Sequence, residues 1–524
     1  MKRLRTWVPW IAGVFLVSGT VAALDLRGPF SSGLPAYLIL VSLMAVVIWL
    51  AWRWVTGGEG PRFLFVAMAV AILLRLGLGI AFTYALPRYG YEEEPQRAGY
   101  VYSDAFTRDV DAWSLAESDQ TLLSAFTERH SSDQYGGLLF LSAFTYRYLS
   151  PAIHRPLLIL VIAASVSSLA VLFTWRFTQM TFGGKAAVLA AWLIALYPDA
   201  VLLGSSQMRE AFIGTALGMA LFGYGVLRAG RVKPGLLAIL IATVLLALPM
   251  SPPYAVAILL TVGVAWLWEG RLKLARSKWL LLLILCLALV AVYLAVRAWS
   301  AIGGLSGSVF EVLLEWWKSA GGQWQRNTLL LQSDWIRRLF RATPEWFHLP
   351  FFVVYGLIRP FLPAALIDSG LPIWRSIAVW RGLGWVLVLP FLLYAPLAAI
   401  RKTGWRSLPT YFSLLVWLTA ILASYRGTGD QWDNPRYRAV FLAAQVALAG
   451  WAWINATEAG SPWLKRTFAV VGGSTILFTL WYSLRYDLLP FSVLHAVGVV
   501  GAFIVFFLLG SILYDAYKTR KTVA

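Results

Sequence analysis

The chain has 524 residues, 59% of them hydrophobic and 13% charged, and carries a formal net charge of +19. Apolar runs that could each cross a bilayer, which takes about 20 residues, recur along its whole length and exclude a set of soluble domains. The single cysteine, Cys286, lies inside an apolar run, which excludes a disulfide framework or a cysteine-based metal site.

Placing Lys2, Arg3 and Arg5 inside, hydropathy predicts fourteen helices at 7–24, 34–52, 63–86, 155–175, 185–198, 210–228, 234–250, 254–268, 279–298, 382–400, 408–424, 438–455, 467–484 and 491–514. Both termini are then cytoplasmic. Nine of ten lysines fall inside, Lys318 being the exception, and 21 of 25 acidic residues fall outside. The positive-inside bias therefore accounts for the net charge, and no nucleic-acid partner is expected. Asp25 and Arg27 follow the first apolar run where a small-residue cleavage site would stand, so that run reads as a retained helix in the plasma membrane. The expected fold class is an all-α polytopic membrane protein with two large outer loops carrying amphipathic interface helices.

Taken in order, residues 1–62 form a hairpin with no polar face, expected to be an addition to a core at 63–298. Arg75 interrupts the third span, where a guanidinium needs a carboxylate, a phosphate or backbone carbonyls. Residues 87–154 are the first outer loop. It contains the acidic stretch YVYSDAFTRDVDAWSLAE, Tyr100 to Glu117, with Asp104, Asp109 and Asp111. Carboxylates at a membrane edge mark a reaction site or a solvated acidic loop, and spacing alone leaves both open. The apolar positions Leu138, Leu139, Leu141, Phe144, Tyr148 and Leu149 predict a helix lying in the interface. Arg209 and Glu210 then return a charge pair to the outer side.

Residues 299–381 form the second outer region. Two amphipathic helices are expected there, one on VFEVLLEWWKSA and one on LQSDWIRRLFRA, each with its apolar face in the membrane. The apolar stretch 346–367 is broken by Pro350, Pro360 and Pro363 and reads as interfacial or re-entrant, with Arg359 a candidate phosphate contact. The C-terminal helices occupy 382–524. At the start of one of them, Arg436, Tyr437 and Arg438 suit a phosphate at headgroup level or plain interfacial anchoring.

Ser103-Asp104-Ala105, Asp109, Ala112 and Leu115-Ala116 resemble the first outer-loop motif of the lipid-sugar-dependent GT-C integral-membrane glycosyltransferases, in particular the protein mannosyltransferase, aminoarabinose transferase and Rgt-like groups. LLRL around Arg75, the run FGGKAAVLAAWLIALYPDAVLLGSSQMREAF and NPRYR at 434–438 extend the resemblance over 63–230 and, more thinly, 380–450. It implies Asp104 as the catalytic carboxylate with Asp109 as understudy, and Glu210 as a second acidic site. Arg209, Arg359, Arg436, Tyr437 and Arg438 would face a donor phosphate. Arg108 stands where the family has an aromatic residue, and the first two helices precede the family's first.

The chemistry so implied is transfer from a polyprenyl-phosphate sugar donor to a glycan, lipid or protein acceptor on the outer face. An aspartate acts as general base, arginines stabilise the leaving phosphate, and the anomeric carbon inverts. No cofactor is fixed by the sequence; a divalent metal, Mg or Mn, bridging Asp and Glu to phosphate is compatible with the pattern. A lipid-linked glycan transporter or flippase would place polar or broken elements at the bilayer midplane. An O-antigen polymerase or ligase would lean on outer arginines and a histidine.

Overall fold

The computed structural model describes residues 2–127, 133, 135–270, scattered positions between 289 and 315, and then 334–341, 343–427, 430, 432–485 and 492–523. Every regular element among them is a helix. The chain forms two compact units, one of Met1–Trp317 with Ala439–Gly450, the other of Lys318–Arg438 with Trp451–Ala524. The 1–62 hairpin and the 63–298 core expected from the sequence thus fall within one unit.

In the first unit α1 (Lys2–Leu24) and α2 (Phe30–Thr56) form the hairpin, and α3 (Arg62–Tyr89) follows. The outer loop folds into α4 (Glu94–Arg97), α5 (Ser103–Glu117), α6 (Ser124–Thr127) and α7 (Gly137–Leu149). Then come α8 (Leu157–Phe182), α9 (Gly184–Leu196), α10 (Pro198–Gly204), α11 (Arg209–Arg228), α12 (Val232–Met250) and α13 (Pro252–Trp268). Helix α8 is apolar or small on every side, so it cannot present a polar face, and 94% of its apolar window is buried. Helices α2, α3, α9 and α11 pack around it.

Pro198 decides the next feature. A proline has no N–H for the carbonyl four residues back, so the helix breaks, and α9 and α10 meet at a bend of 53°. Arg75, 1% exposed, takes up the carbonyls at the end of α9: Nη1 donates to Ala195 O at 3.2 Å and Nη2 to Ile194 O at 3.2 Å. Of the three partners open to this arginine, the structure selects backbone carbonyls. Gly204 is needed for the fit, since a Cβ there would sit 2.7 Å from Arg75 Cδ.

The hairpin was expected to have no polar face, and here the structure differs. Asp25, 3% exposed, accepts from Arg155 Nη1 at 2.7 Å and from the Tyr37 hydroxyl at 2.7 Å. Arg155 also donates to Pro29 O and to Ser32 Oγ, each at 3.0 Å. A 130-residue separation hid the partner of Asp25 from any local pattern. Helix α7 buries Leu138, Leu139 and Tyr146 but leaves Phe144 and Tyr148 exposed in a ladder with Phe140, as an interfacial helix would.

The second unit contains α14 (Asp334–Arg341), α15 (Glu345–Leu357), α16 (Leu362–Ile367), α17 (Pro372–Thr403), α18 (Leu408–Gly427), α19 (Asp433–Ala439, to Arg438), the later part of α20 (Leu442–Glu458), α21 (Pro462–Leu484) and α22 (Val493–Val523). The stretch 346–367 divides into α15 and α16, each too short to cross a bilayer. The apolar face of α14, Ile336, Leu339 and Phe340, packs on Phe352 and Tyr355 of α15 rather than facing lipid, while Arg337, Arg338 and Arg341 are exposed. The helix expected on VFEVLLEWWKSA and the span 279–298 fall almost wholly outside the described residues.

Among the described residues nine helices are long and apolar enough to cross a membrane, or eleven if each bent pair counts as one span. The fourteen expected include 279–298, which lies almost wholly outside the described residues. Pro252–Trp268 is apolar but has only 17 residues, and 185–198 and 438–455 belong to bent pairs. The polytopic all-helical class stands.

Candidate active site

Helix α5 carries the acidic stretch, and its two key carboxylates differ in setting. Asp104 lies in the first turn and is exposed. A carboxylate there is favoured by the partial positive charge of the helix N-terminus. Asp109, five residues on, points inward and is 1% exposed. The Tyr100 hydroxyl donates to its Oδ2 at 2.5 Å, the Tyr146 hydroxyl donates to Oδ1, and His154 Nε2 lies 2.8 Å from Oδ2. His154 in turn stacks on Trp113, with ring centroids 4.9 Å apart. Burial first, then the Asp109 charge, pushes the Tyr100 and Tyr146 phenols well above their ordinary range, so both remain donors.

Two arginines fix α5 in place. Arg147 of α7 reaches the carbonyls at the C-terminal end of α5, donating to Leu115 O, Ala116 O, Ser118 O and Gln120 O. A cation on orphan C-terminal carbonyls is the favourable arrangement at that end of a helix. Arg108, 3% exposed, donates to Gln207 O at 2.8 Å and lies 3.7 Å from Asp133 Oδ2. Gln207 precedes α11, so this bond draws Arg209 and Glu210 toward α5.

The electrostatics around Arg108 record that convergence. Burial pulls its pKa below the ordinary value, Asp133, Glu210 and Asp104 oppose that pull, and Arg209 adds to it. Asp104, Asp133, Arg209 and Glu210 therefore all lie within electrostatic reach of Arg108. Glu210 occupies the first turn of α11, 2% exposed, with Oε1 3.9 Å from Arg209 Nε. Glu210 and Arg75 line one cavity of about 30 Å³. Arg209 also lies over the Tyr135 ring at 5.4 Å.

In the second unit the remaining candidates form a cationic and aromatic cluster. Arg359, Arg436 and Arg438 are 7%, 7% and 1% exposed. Arg438 Nη2 donates to Arg359 O at 2.7 Å, and Arg436 lies 3.3 Å from Asp433 and over the Tyr437 ring. Arg381 of α17, which the sequence did not single out, joins them. It lies over Trp432 at 4.4 Å, while Arg438 lies over Trp385 at 3.4 Å. Arg381 and Trp385 are one turn apart on α17, and each meets the opposite partner type from the segment around α19.

Sequence reasoning missed Asp133, Arg147, Tyr100, Tyr146, His154 and Arg381 as parts of these sites. Only Asp133 had a local signal: it precedes Gly136-Gly137 and accepts from Leu139 N at 3.0 Å as a helix-start acceptor. The others meet partners at long sequence separation. Among the described residues no group of three or more His, Cys, Asp or Glu side chains comes together.

No family model matches the chain, and no curated protein does. Among solved structures, it is similar to the archaeal oligosaccharyltransferase AglB from Archaeoglobus fulgidus, determined in complex with an inhibitory peptide and a dolichol-phosphate. The identity is 14%, the TM-score 0.39, and the match covers 85% of this chain and 55% of that one. This chain thus spans about half the length of AglB, and a likeness at that TM-score decides neither family nor activity.

Proposed function

We propose that the chain is a membrane glycosyltransferase of the GT-C kind. It moves a sugar from a polyprenyl-phosphate donor to a hydroxyl acceptor on the outer face of the plasma membrane, with both termini cytoplasmic. The observation that carries the reading is the contrast on α5: Asp104 is exposed within electrostatic reach of Arg108, whereas Asp109 is buried under two tyrosine hydroxyls. A general base must come within hydrogen-bond reach of the proton it removes, and of Asp104 and Asp109 it is Asp104 that is accessible.

In the proposed step the Asp104 carboxylate takes the acceptor hydroxyl proton as that oxygen bonds to the anomeric carbon. The bond from the anomeric carbon to the phosphate oxygen breaks, and the polyprenyl phosphate leaves with the electron pair. One base with no positioned second nucleophile gives inversion. A guanidinium on the leaving phosphate replaces a general acid. Arg209 is the candidate on this unit, next to Glu210; Arg359, Arg436, Tyr437 and Arg438 keep the phosphate-binding role that the resemblance gives them. No step is routed through a metal. Arg75 is occupied by helix carbonyls, which supports an enzyme over a transporter with a charged midplane site.

The test is sugar transfer by the purified protein in lipid, with a panel of polyprenyl-phosphate sugars. One donor should be consumed by the wild type and not by Asp104→Asn. Equal consumption by both would remove the base from α5, and movement of a labelled lipid-linked glycan across the bilayer without consumption would make the chain a transporter.

A further inference from the structure

A cavity of about 300 Å³ in the first unit belongs to neither the Asp104 site nor the arginine cluster. One wall is the outer turn of the hairpin, Asp25 to Arg27. The others are the last turns of α3, the segment from Arg97 to Val101, the start of α8 and the turn Ser205 to Gln207. Without the hairpin one side would be open. The Asp25–Arg155 pair fixes that wall, and because Asp25 is engaged with Arg155 and Tyr37, its charge is already balanced.

The charges left to the cavity are cationic. Arg27 and Arg97 both line it and both are exposed. Arg97 lies 3.5 Å from Glu92, but with side chains 65% and 94% exposed that pair is weak and can be exchanged. Ser205, Ser206 and Gln207 supply uncharged hydrogen-bonding groups, and Phe82, Leu157 and Leu160 supply apolar wall. Helix α3 has 28 residues. At about 1.5 Å per residue it overreaches a hydrocarbon core of about 30 Å, which puts Tyr84 and Pro87 at headgroup level.

We infer that the hairpin builds a binding site for the phosphate group of an anionic lipid. Arg27 and Arg97 hold the phosphate, the Ser205–Gln207 turn hydrogen-bonds the headgroup, and the chain descends along the apolar wall. Such a lipid would steady the catalytic loop. Tyr100, on the cavity wall, holds Asp109, and Gln207, also on the wall, holds Arg108. The inference concerns binding, so it stands or falls apart from the transferase reading.

The experiment is native mass spectrometry of the full-length protein purified from nanodiscs containing phosphatidylglycerol and phosphatidylcholine. The wild type should retain phosphatidylglycerol over phosphatidylcholine. The double variant Arg27→Gln/Arg97→Gln should retain it about tenfold less. Leu26→Trp, which narrows the mouth at a residue 79% exposed and keeps both charges, should also lose it. Freed of lipid in detergent, all three proteins should melt at the same temperature, since no buried contact is removed. Equal retention by the wild type and both variants would overturn the site. Displacement of the lipid by inorganic phosphate alone at millimolar concentration would show a free-phosphate site and overturn the lipid assignment.

Discussion

Arg75 supplies the hydrogen bond that Pro198 withholds: its Nη2 donates at 3.2 Å to Ile194 O, the carbonyl four residues before the proline. An arginine in the middle of a spanning helix thus acts as the end cap of a neighbouring helix. The charge stays buried because two carbonyls of α9 and one of its own helix, Ala71 O at 3.0 Å, receive it.

This pairing predicts a coupling that can be measured. Arg75→Met should destabilise the protein by about 1–3 kcal/mol, because it leaves buried carbonyls without donors. Pro198→Ala restores an N–H for Ile194 O and should lessen that loss. A double-mutant cycle on thermal unfolding in detergent should show a coupling of about 0.5–3 kcal/mol. Strict additivity would mean that the two residues act independently.

Asp104 and Asp109 of α5 should separate stability from activity. Asp109→Asn weakens bonds from two tyrosine hydroxyls and should lower stability by about 1.5–3 kcal/mol. Asp104→Asn removes an exposed charge at a helix N-terminus and should cost only about 0.3–1 kcal/mol while reducing transfer roughly 10²–10⁴-fold. The reverse pattern, a stable but inactive Asp109→Asn beside an active Asp104→Asn, would exchange their roles.

The buried Asp25–Arg155 pair should behave as buried ion pairs do when one member is removed. Arg155→Leu alone leaves a carboxylate stranded and should cost about 3–5 kcal/mol, whereas Asp25→Leu/Arg155→Leu together should recover much of it. Thermal unfolding of the three variants decides this. A double variant as unstable as the single one would mean that the pair matters through Pro29 and Ser32 instead.

Tyr100 and Tyr146 predict an alkaline limit. Their folded pKa values are raised above the ordinary 10.0, so the folded state keeps protons that the unfolded chain releases. Their contribution is complete below pH 10.0 and declines as pH rises past it. Tyr100→Phe and Tyr146→Phe should each flatten the loss of stability with pH in that range, and a slope as steep as that of the wild type would rule the tyrosines out.

The sequence by itself determined the membrane class, the order of the apolar helices, the breaks at 346–367 and at Pro198, and the acidic stretch with its later arginines. These follow from hydropathy, proline chemistry and side-chain type, all of which are local. Only the tertiary structure decided which of Asp104 and Asp109 is accessible, that Arg75 closes α9, that Arg155 ties the hairpin down, and that Arg381 belongs with Arg438. It also decided that the apolar face of α14 meets α15. Each of these depends on partners distant in sequence. A buried charge or apolar face announces that it needs a partner, but several partners meet that need equally well until the chain has folded.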